Sequence, residues 1–338
     1  MTVFINFFRV ISLFTLMLML GACQTVTNIN DPSNTYTPET TYLKLIGDYP
    51  FISVASRNVP IAVQEIKNIT YVQYGKRALQ LDLYLPKEVQ QQNRPAIIFV
   101  HGGGWRAGYR TNFTPFAIAM AEHGYVAATI SYRLSGEAQY PAAIYDVKAA
   151  IRWLRKNAKK YGVNPNQIAI SGGSAGGQIA SLTGVTNGMD KFDPQAKQSG
   201  VSSDVQAIVN VDGLSDFTSE AARFHEDDPR KNPSAAGAWF GGRYSEKTDL
   251  WREASPTFYV TKNTPPILFL ISAQERFSVG YKEMIEKMKP LGIPYKVAQI
   301  PQSPHSFWLF DPWLQPSVDI VVNFLDQQFK IARSDNAR

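Results

Sequence analysis

The sequence predicts an α/β fold: a mostly parallel central sheet with an antiparallel N-terminal hairpin, helices on both faces and a small helical cap. Three observations predict it. From residue 66 onward, apolar runs of strand length alternate with segments of helical period. Two glycine-rich turns, at 101–105 and 172–177, follow directly on such runs. An irregular charged stretch with three prolines, about 218–263, interrupts the alternation once and reads as a cap of short helices rather than a second domain.

Taken in order, Ile69–Tyr74 and Leu79–Leu85 alternate apolar and polar residues around Gly75-Lys76, the pattern of a hairpin. Parallel strands are expected at Ala96–Val100, Tyr125–Ser131, Gln167–Ser171, Val205–Val211, Ile267–Ile271 and Tyr295–Ile300. Helical segments at Phe116–Glu122, Ala142–Lys159 and Ser278–Leu291 lie between them. Right-handed crossovers wind these into one open sheet. Val318, Ile320, Val321, Phe324, Leu325 and Phe329 recur at helical spacing and mark a closing helix over 317–331.

The 338 residues, 44% hydrophobic and 18% charged, are enough for one large domain, expected at 51–333. The net charge of +6 comes from scattered Lys and Arg. Only Arg152, Arg155, Lys156, Lys159 and Lys160 cluster, on one helical segment that reads as a solvated face, so no nucleic-acid partner is expected. Residues 1–22 read as a signal peptide: Arg9 precedes an apolar stretch, Val10–Leu20, and Leu20-Gly21-Ala22-Cys23 follows. This resembles the lipobox of bacterial lipoproteins, which implies that Cys23, the sole cysteine, becomes the lipidated first residue and anchors the protein to a membrane. Cleavage removes one Arg and lowers the formal charge from +6 to +5, and leaves no thiol for a disulfide. Gln24 after the cysteine implies, by analogy with lipoprotein sorting, the outer membrane. Residues 23–50 read as a tether, with 25–41 rich in Thr, Asn, Pro and Ser.

The chemistry is carried by two motifs. Gly172-Gly173-Ser174-Ala175-Gly176 follows a strand, and a strand-to-helix turn of this kind presents its serine at the sheet's edge. A serine hydroxyl needs a base to take its proton and donors for the oxyanion that forms on attack. His101-Gly102-Gly103-Gly104-Trp105 supplies the second need: the backbone amides of Gly103, Gly104 and Ala175 are the expected oxyanion hole. A phosphate loop is the rival reading of those glycines, but neither a Lys-Ser/Thr pair nor a G-x-G-x-x-G spacing accompanies them. Four histidines compete for the base. His101 orders its own loop, His123 ends a helix and His225 falls in the cap, so His305, after the last parallel strand, is the candidate. The acid is expected after Ile267–Ile271, where Glu275 is the sole carboxylate. Asp212 and Asp216 are held in reserve, and Asp146 reads as a packing or capping residue.

With these residues in view, the chain resembles the α/β-hydrolase superfamily, in its esterase/lipase branch with an HGGGW loop, which includes hormone-sensitive-lipase-like and bacterial feruloyl- or acetyl-esterase-like enzymes. The resemblance spans about 66–331. It rests on Leu81-Asp-Leu-Tyr-Leu-Pro86, His101–Trp105, Ser131-Tyr132-Arg133-Leu134, Asp146–Leu154, Gly172–Gly177, Ser255-Pro256 and His305–Phe310. It implies hydrolysis of carboxylic esters through an acyl-serine intermediate, on small acyl or aryl esters, with no cofactor and no metal. One departure stands out: family members commonly show His-Gly-x-x-Asp where this chain has Ile271-Ser272-Ala273-Gln274-Glu275, so the acid is replaced or moved. Two other functions fit the same scaffold, a serine peptidase and a non-catalytic envelope binding protein.

Overall fold

The computed structural model describes residues 35–87 and 93–331. The expected signal peptide and Cys23 lie outside the described residues. In chain order the strands are β1 (Ser53–Val54), β2 (Val63–Tyr74), β3 (Arg77–Pro86), β4 (Arg94–Val100), β5 (Val126–Ile130), β6 (Val163–Gly173), β7 (Ala207–Val211), β8 (Ile267–Ile271), β9 (Tyr295–Gln299) and β10 (Phe310–Asp311). Helices α1 (Pro38–Leu45), α2 (Thr114–Glu122), α3 (Ala142–Lys156), α4 (Ala158–Tyr161), α5 (Ala175–Val185) and α6 (Ala196–Ser199) precede β7. Beyond it come α7 (Glu220–Glu226), α8 (Ala235–Phe240), α9 (Thr248–Glu253), α10 (Tyr281–Met288) and α11 (Leu314–Phe329).

Eight strands form the central sheet in the order β2-β3-β5-β4-β6-β7-β8-β9. Only β3 runs against its neighbours; from β5 to β9 every pairing is parallel. The strand order explains the sequence pattern. β5, β7 and β8 lie inside the sheet with both faces covered and are buried at every residue, hence their runs are apolar apart from Thr129 in β5 and Asn210 in β7. β9 is an edge and alternates, leaving Tyr295 and Val297 exposed. Alternate residues of β4 serve two cores: Ala96, Ile98 and Val100 pack on the side of α3 and α5, and Ile97 and Phe99 on the side of α2 and α11.

The expected tether ends earlier than residue 50. Thr37 caps α1 with a reciprocal bond: Thr40 N–H donates to the Thr37 hydroxyl, and Thr37 N–H donates to the Thr40 hydroxyl, each at 3.0 Å, with Pro38 opening the helix. Tyr36, Tyr42, Leu45, Ile46 and Tyr49 then pack against the α2–α11 core, and Tyr49 meets Trp313 edge-on at 5.6 Å. β1 closes the segment by pairing with β10. The polar composition hid this docking, because its five apolar contacts are spread thinly along the segment.

The sheet ends that matter are the C-terminal ends of β4, β6, β7, β8 and β9, which open on one side, with α7, α8 and α9 inserted between β7 and β8.

Candidate active site

Ser174 sits at the turn between β6 and α5 with φ 57° and ψ −123°, a conformation costly for a residue with a side chain. The turn is tight because its glycines let chains touch. A Cβ on Gly172 or Gly176 would run into the carbonyl oxygen of Val100 on β4, and one on Gly173 would lie 2.5 Å from the Trp308 ring. The Ser174 amide is tied down by donating to Val211 O at 2.9 Å, which fixes the turn to β7.

The loop after β4 is folded against this turn. Gly103, at φ 120°, lies where a Cβ would strike the Ala107 carbonyl, and Gly104 and Trp105 also have positive φ. His101 holds the loop from inside. It is buried, its ring stacks on Tyr132 at 4.4 Å, and its Nδ1–H donates to Gly102 O at 2.8 Å, since a carbonyl can only accept. Burial lowers its pKa to about 4, so the ring is neutral at pH 7. Trp105 is anchored by donating to Gln178 Oε1 at 3.0 Å and by stacking on Trp239 at 5.2 Å. The amides of Gly103, Gly104 and Ala175 donate to no other group among the described residues, and all three residues line the cavity that holds Ser174. Ala175 also opens α5, whose N-terminus adds a favourable field for negative charge.

His305 lines the same cavity. Its Nδ1–H donates to Asp212 Oδ2 at 2.9 Å, which leaves the Nε2 lone pair free to accept a proton. Phe277 covers the imidazole face at 3.4 Å and 8°, and Trp308 meets it edge-on at 5.3 Å. Burial lowers the His305 pKa below its ordinary 6.5; the hydrogen bond and charge of Asp212 oppose that shift, and Arg276 adds to it.

The carboxylate brought to His305 is therefore Asp212, held in reserve above, and not the expected Glu275. Asp212 follows β7, one strand nearer the serine than expected, and is buried, with Oδ1 accepting from Ser272 N–H at 2.8 Å. Its φ of 50° is a left-handed conformation that Asp tolerates. Glu275 opens a short 3-10 turn, Glu275–Phe277, is exposed, and borders a neighbouring cavity rather than the one holding Ser174. The group that this loop lays against the imidazole is the Phe277 ring, and the carboxylate on Nδ1 comes from the loop after β7. Asp216 serves its own turn, accepting from Thr218 N–H and Oγ1–H at 2.7 Å each. Asp146, on α3, is buried against Arg133 of the loop after β5, a structural pair. A signal for Asp212 was present: it follows a fully buried strand and precedes Gly213, where a Cβ would lie 2.5 Å from the Gln178 backbone amide of α5.

The cavity measures about 400 Å³. Tyr36 from the N-terminal segment forms part of its wall and hydrogen-bonds Ser306 at 2.8 Å, and His225 and Glu226 of α7 reach it from the cap. Trp239, Phe240, Trp251, Trp308 and Trp313 are buried in packing and do not line it. Among the described residues no group of three or more His, Cys, Asp and Glu side chains is arranged to hold a metal ion.

The BD-FAE family model matches residues 81–283, well over half of the chain. The chain belongs to the BD-FAE family. The matched stretch includes Ser174, Asp212 and Glu275 and stops short of His305. Two relatives of this BD-FAE protein come from Mycobacterium tuberculosis (strain ATCC 25618 / H37Rv). Esterase LipC is 29% identical over 269 residues, 76% of this chain and 64% of LipC. Esterase LipQ is 31% identical over 243 residues, 69% of this chain and 55% of LipQ. The chain thus spans between about half and two thirds of these relatives' lengths. A truncated form of a carbohydrate esterase from gut microbiota superposes with a TM-score of 0.69 at 24% identity, covering 82% of this chain and 100% of that one. The BD-FAE protein therefore has the α/β-hydrolase fold.

Proposed function

We propose that this protein hydrolyses carboxylic esters through an acyl intermediate on Ser174. The observation that carries the reading is the hydrogen bond from His305 Nδ1–H to buried Asp212, in a cavity shared by Ser174 and three undonated backbone amides. His305 Nε2 takes the Ser174 proton as Oγ attacks the ester carbonyl. The oxyanion is held by the amides of Gly103, Gly104 and Ala175, each worth about 3 kcal/mol in the transition state. His305 then returns the proton to the departing alcohol, and the same cycle with water releases the acid. Asp212 keeps the imidazole in the productive tautomer and stabilises its cation. The cavity volume suits a small acyl or aryl ester. The names of LipC and LipQ support the same reaction class.

A fluorophosphonate probe tests the reading. One label per chain is expected on the wild type and none on Ser174→Ala; an unlabelled wild type contradicts an activated serine. We further propose that residues 1–22 are removed and Cys23 is lipidated, holding the enzyme at the outer membrane. Radiolabelled palmitate should enter the wild type and not Cys23→Ala, and membrane retention by Cys23→Ala would contradict the anchor.

A further inference from the structure

The cavity around Ser174 holds more positive charge than the ester chemistry uses. Arg106, Lys231 and Arg276 line it, facing the carboxylates of Asp212 and Glu226. Asp212 is committed to His305 and Ser272 N–H, so Glu226 alone is left for three cations. Lys231 has a distant partner in Asp228 at 3.8 Å. Arg106 and Arg276, which both line the cavity, form no ion pair among the described residues.

Arg276 is also held in place. Its guanidinium carbon lies 4.1 Å over the Phe277 ring, and the His305 imidazole is stacked on that ring at 3.4 Å. Two planar groups cannot share one face, so guanidinium, phenyl and imidazole form a three-layer stack, with the cation one ring's thickness from the base. His305 must deliver its proton to the leaving oxygen. A cation fixed beside His305 therefore stands by the alcohol half of the ester, while Arg106, whose amide donates to Gly103 O at 3.3 Å, stands on the oxyanion loop.

We propose that the physiological ester has an alcohol moiety bearing a carboxylate, which Arg276 binds, with Arg106 and Lys231 adding to the attraction. This rests on the ester-hydrolase reading and assigns its substrate class. A carboxylate there completes the unpaired guanidinium with a bidentate partner, which a neutral alcohol cannot do.

The test compares 4-acetoxybenzoate with 4-acetoxybenzamide, which share an acetyl group and differ in the charge of the leaving phenol. Wild-type kcat/KM should favour the carboxylate by about five- to tenfold at low ionic strength, the range of one or two partly exposed charge pairs, and the preference should shrink at high salt. Arg276→Gln should remove most of the preference, bringing the ratio to about two or less, the remainder being the attraction of Arg106 and Lys231. Glu226→Gln, which removes the competing negative charge, should raise it by about twofold. The two variants move the ratio in opposite directions, which general damage to the site would not do. Hydrolysis of both esters with a wild-type ratio at or below one, or a ratio that survives Arg276→Gln, overturns the proposal and leaves the esterase reading intact. So does a preference confined to a carboxylate on the acyl side, read with monophenyl succinate against phenyl butyrate. Hydrolysis of none of these esters, with no fluorophosphonate label on Ser174, overturns both.

Discussion

His101 and His305 face each other in character across one site. Both rings are stacked on an aromatic neighbour, Tyr132 in one case and Phe277 in the other, and burial lowers both pKa values. What separates them is the group that accepts from Nδ1–H. His101 donates to a backbone carbonyl, which orients the ring and does little to stabilise a positive charge, so burial drives its pKa to about 4 and it works as a neutral brace for the glycine loop. His305 donates to a carboxylate, which orients the ring and also stabilises the imidazolium that must form during turnover. The acceptor, more than the burial or the stacking, separates the histidine that braces a loop from the one proposed as the base.

Replacing the carboxylate of Asp212 by an amide should turn His305 into a second His101. Asp212→Asn should lower kcat by about 10⁴, as loss of the tautomer-fixing acid does in serine hydrolases, and move the acid limb of kcat/KM to still lower pH because a favourable charge is lost. Glu275→Gln should stay within about twofold of wild type, since that side chain is exposed and outside the cavity. Steady-state kinetics on a p-nitrophenyl ester across pH separates the two, and the reverse ranking would return the acid to Glu275.

The loop that His101 braces offers a smaller effect. Gly103→Ala adds a Cβ against the Ala107 carbonyl at φ 120°, and the loop must shift, so one oxyanion donor is withdrawn and kcat should fall by about 10²–10³. KM should change far less, because the donor acts on the transition state; a variant with unchanged kcat would place the oxyanion hole elsewhere.

The smallest effect is on stability. His101 is neutral in the folded protein down to about pH 4, whereas in the unfolded chain it titrates near 6.5. Between those values the unfolded state binds a proton that the folded state refuses, so stability is lost as pH falls from 6.5 towards 4. The loss reaches about 3 kcal/mol at pH 4. Urea unfolding at pH 7 and pH 4 should show a drop larger by about that amount in wild type than in His101→Gln. Equal drops would mean that His101 takes up a proton in place.

How legible the molecule was follows the same division between local and distant. The order of strands and helices, the hairpin and the two glycine turns were readable because each is written within a few consecutive residues: Gly172 and Gly176 are required by the backbone that passes them. Asp212 was not selected, because nothing within its own loop points to residue 305, ninety-three positions away; only the pairing of β7 beside β6 brings the carboxylate to the site. Glu275 was the better local candidate and the wrong one, since position after a strand does not say which way a loop turns. Tyr36 was missed for a related reason. A tyrosine in a polar stretch offers no periodicity, yet α1 docks that stretch against the core and sets the phenol beside Ser306 in the cavity wall. Arg276 carries no signal of its own in the sequence either: the stack on Phe277, visible only in the fold, sets it beside His305.

The bond between His305 and Asp212 can be observed directly. In a ¹H NMR spectrum of the protein without added ligand, the Nδ1 proton of His305 should appear as a strongly downfield resonance, present in wild type and in Glu275→Gln and absent in Asp212→Asn. A resonance that survives Asp212→Asn and vanishes in Glu275→Gln would contradict the account.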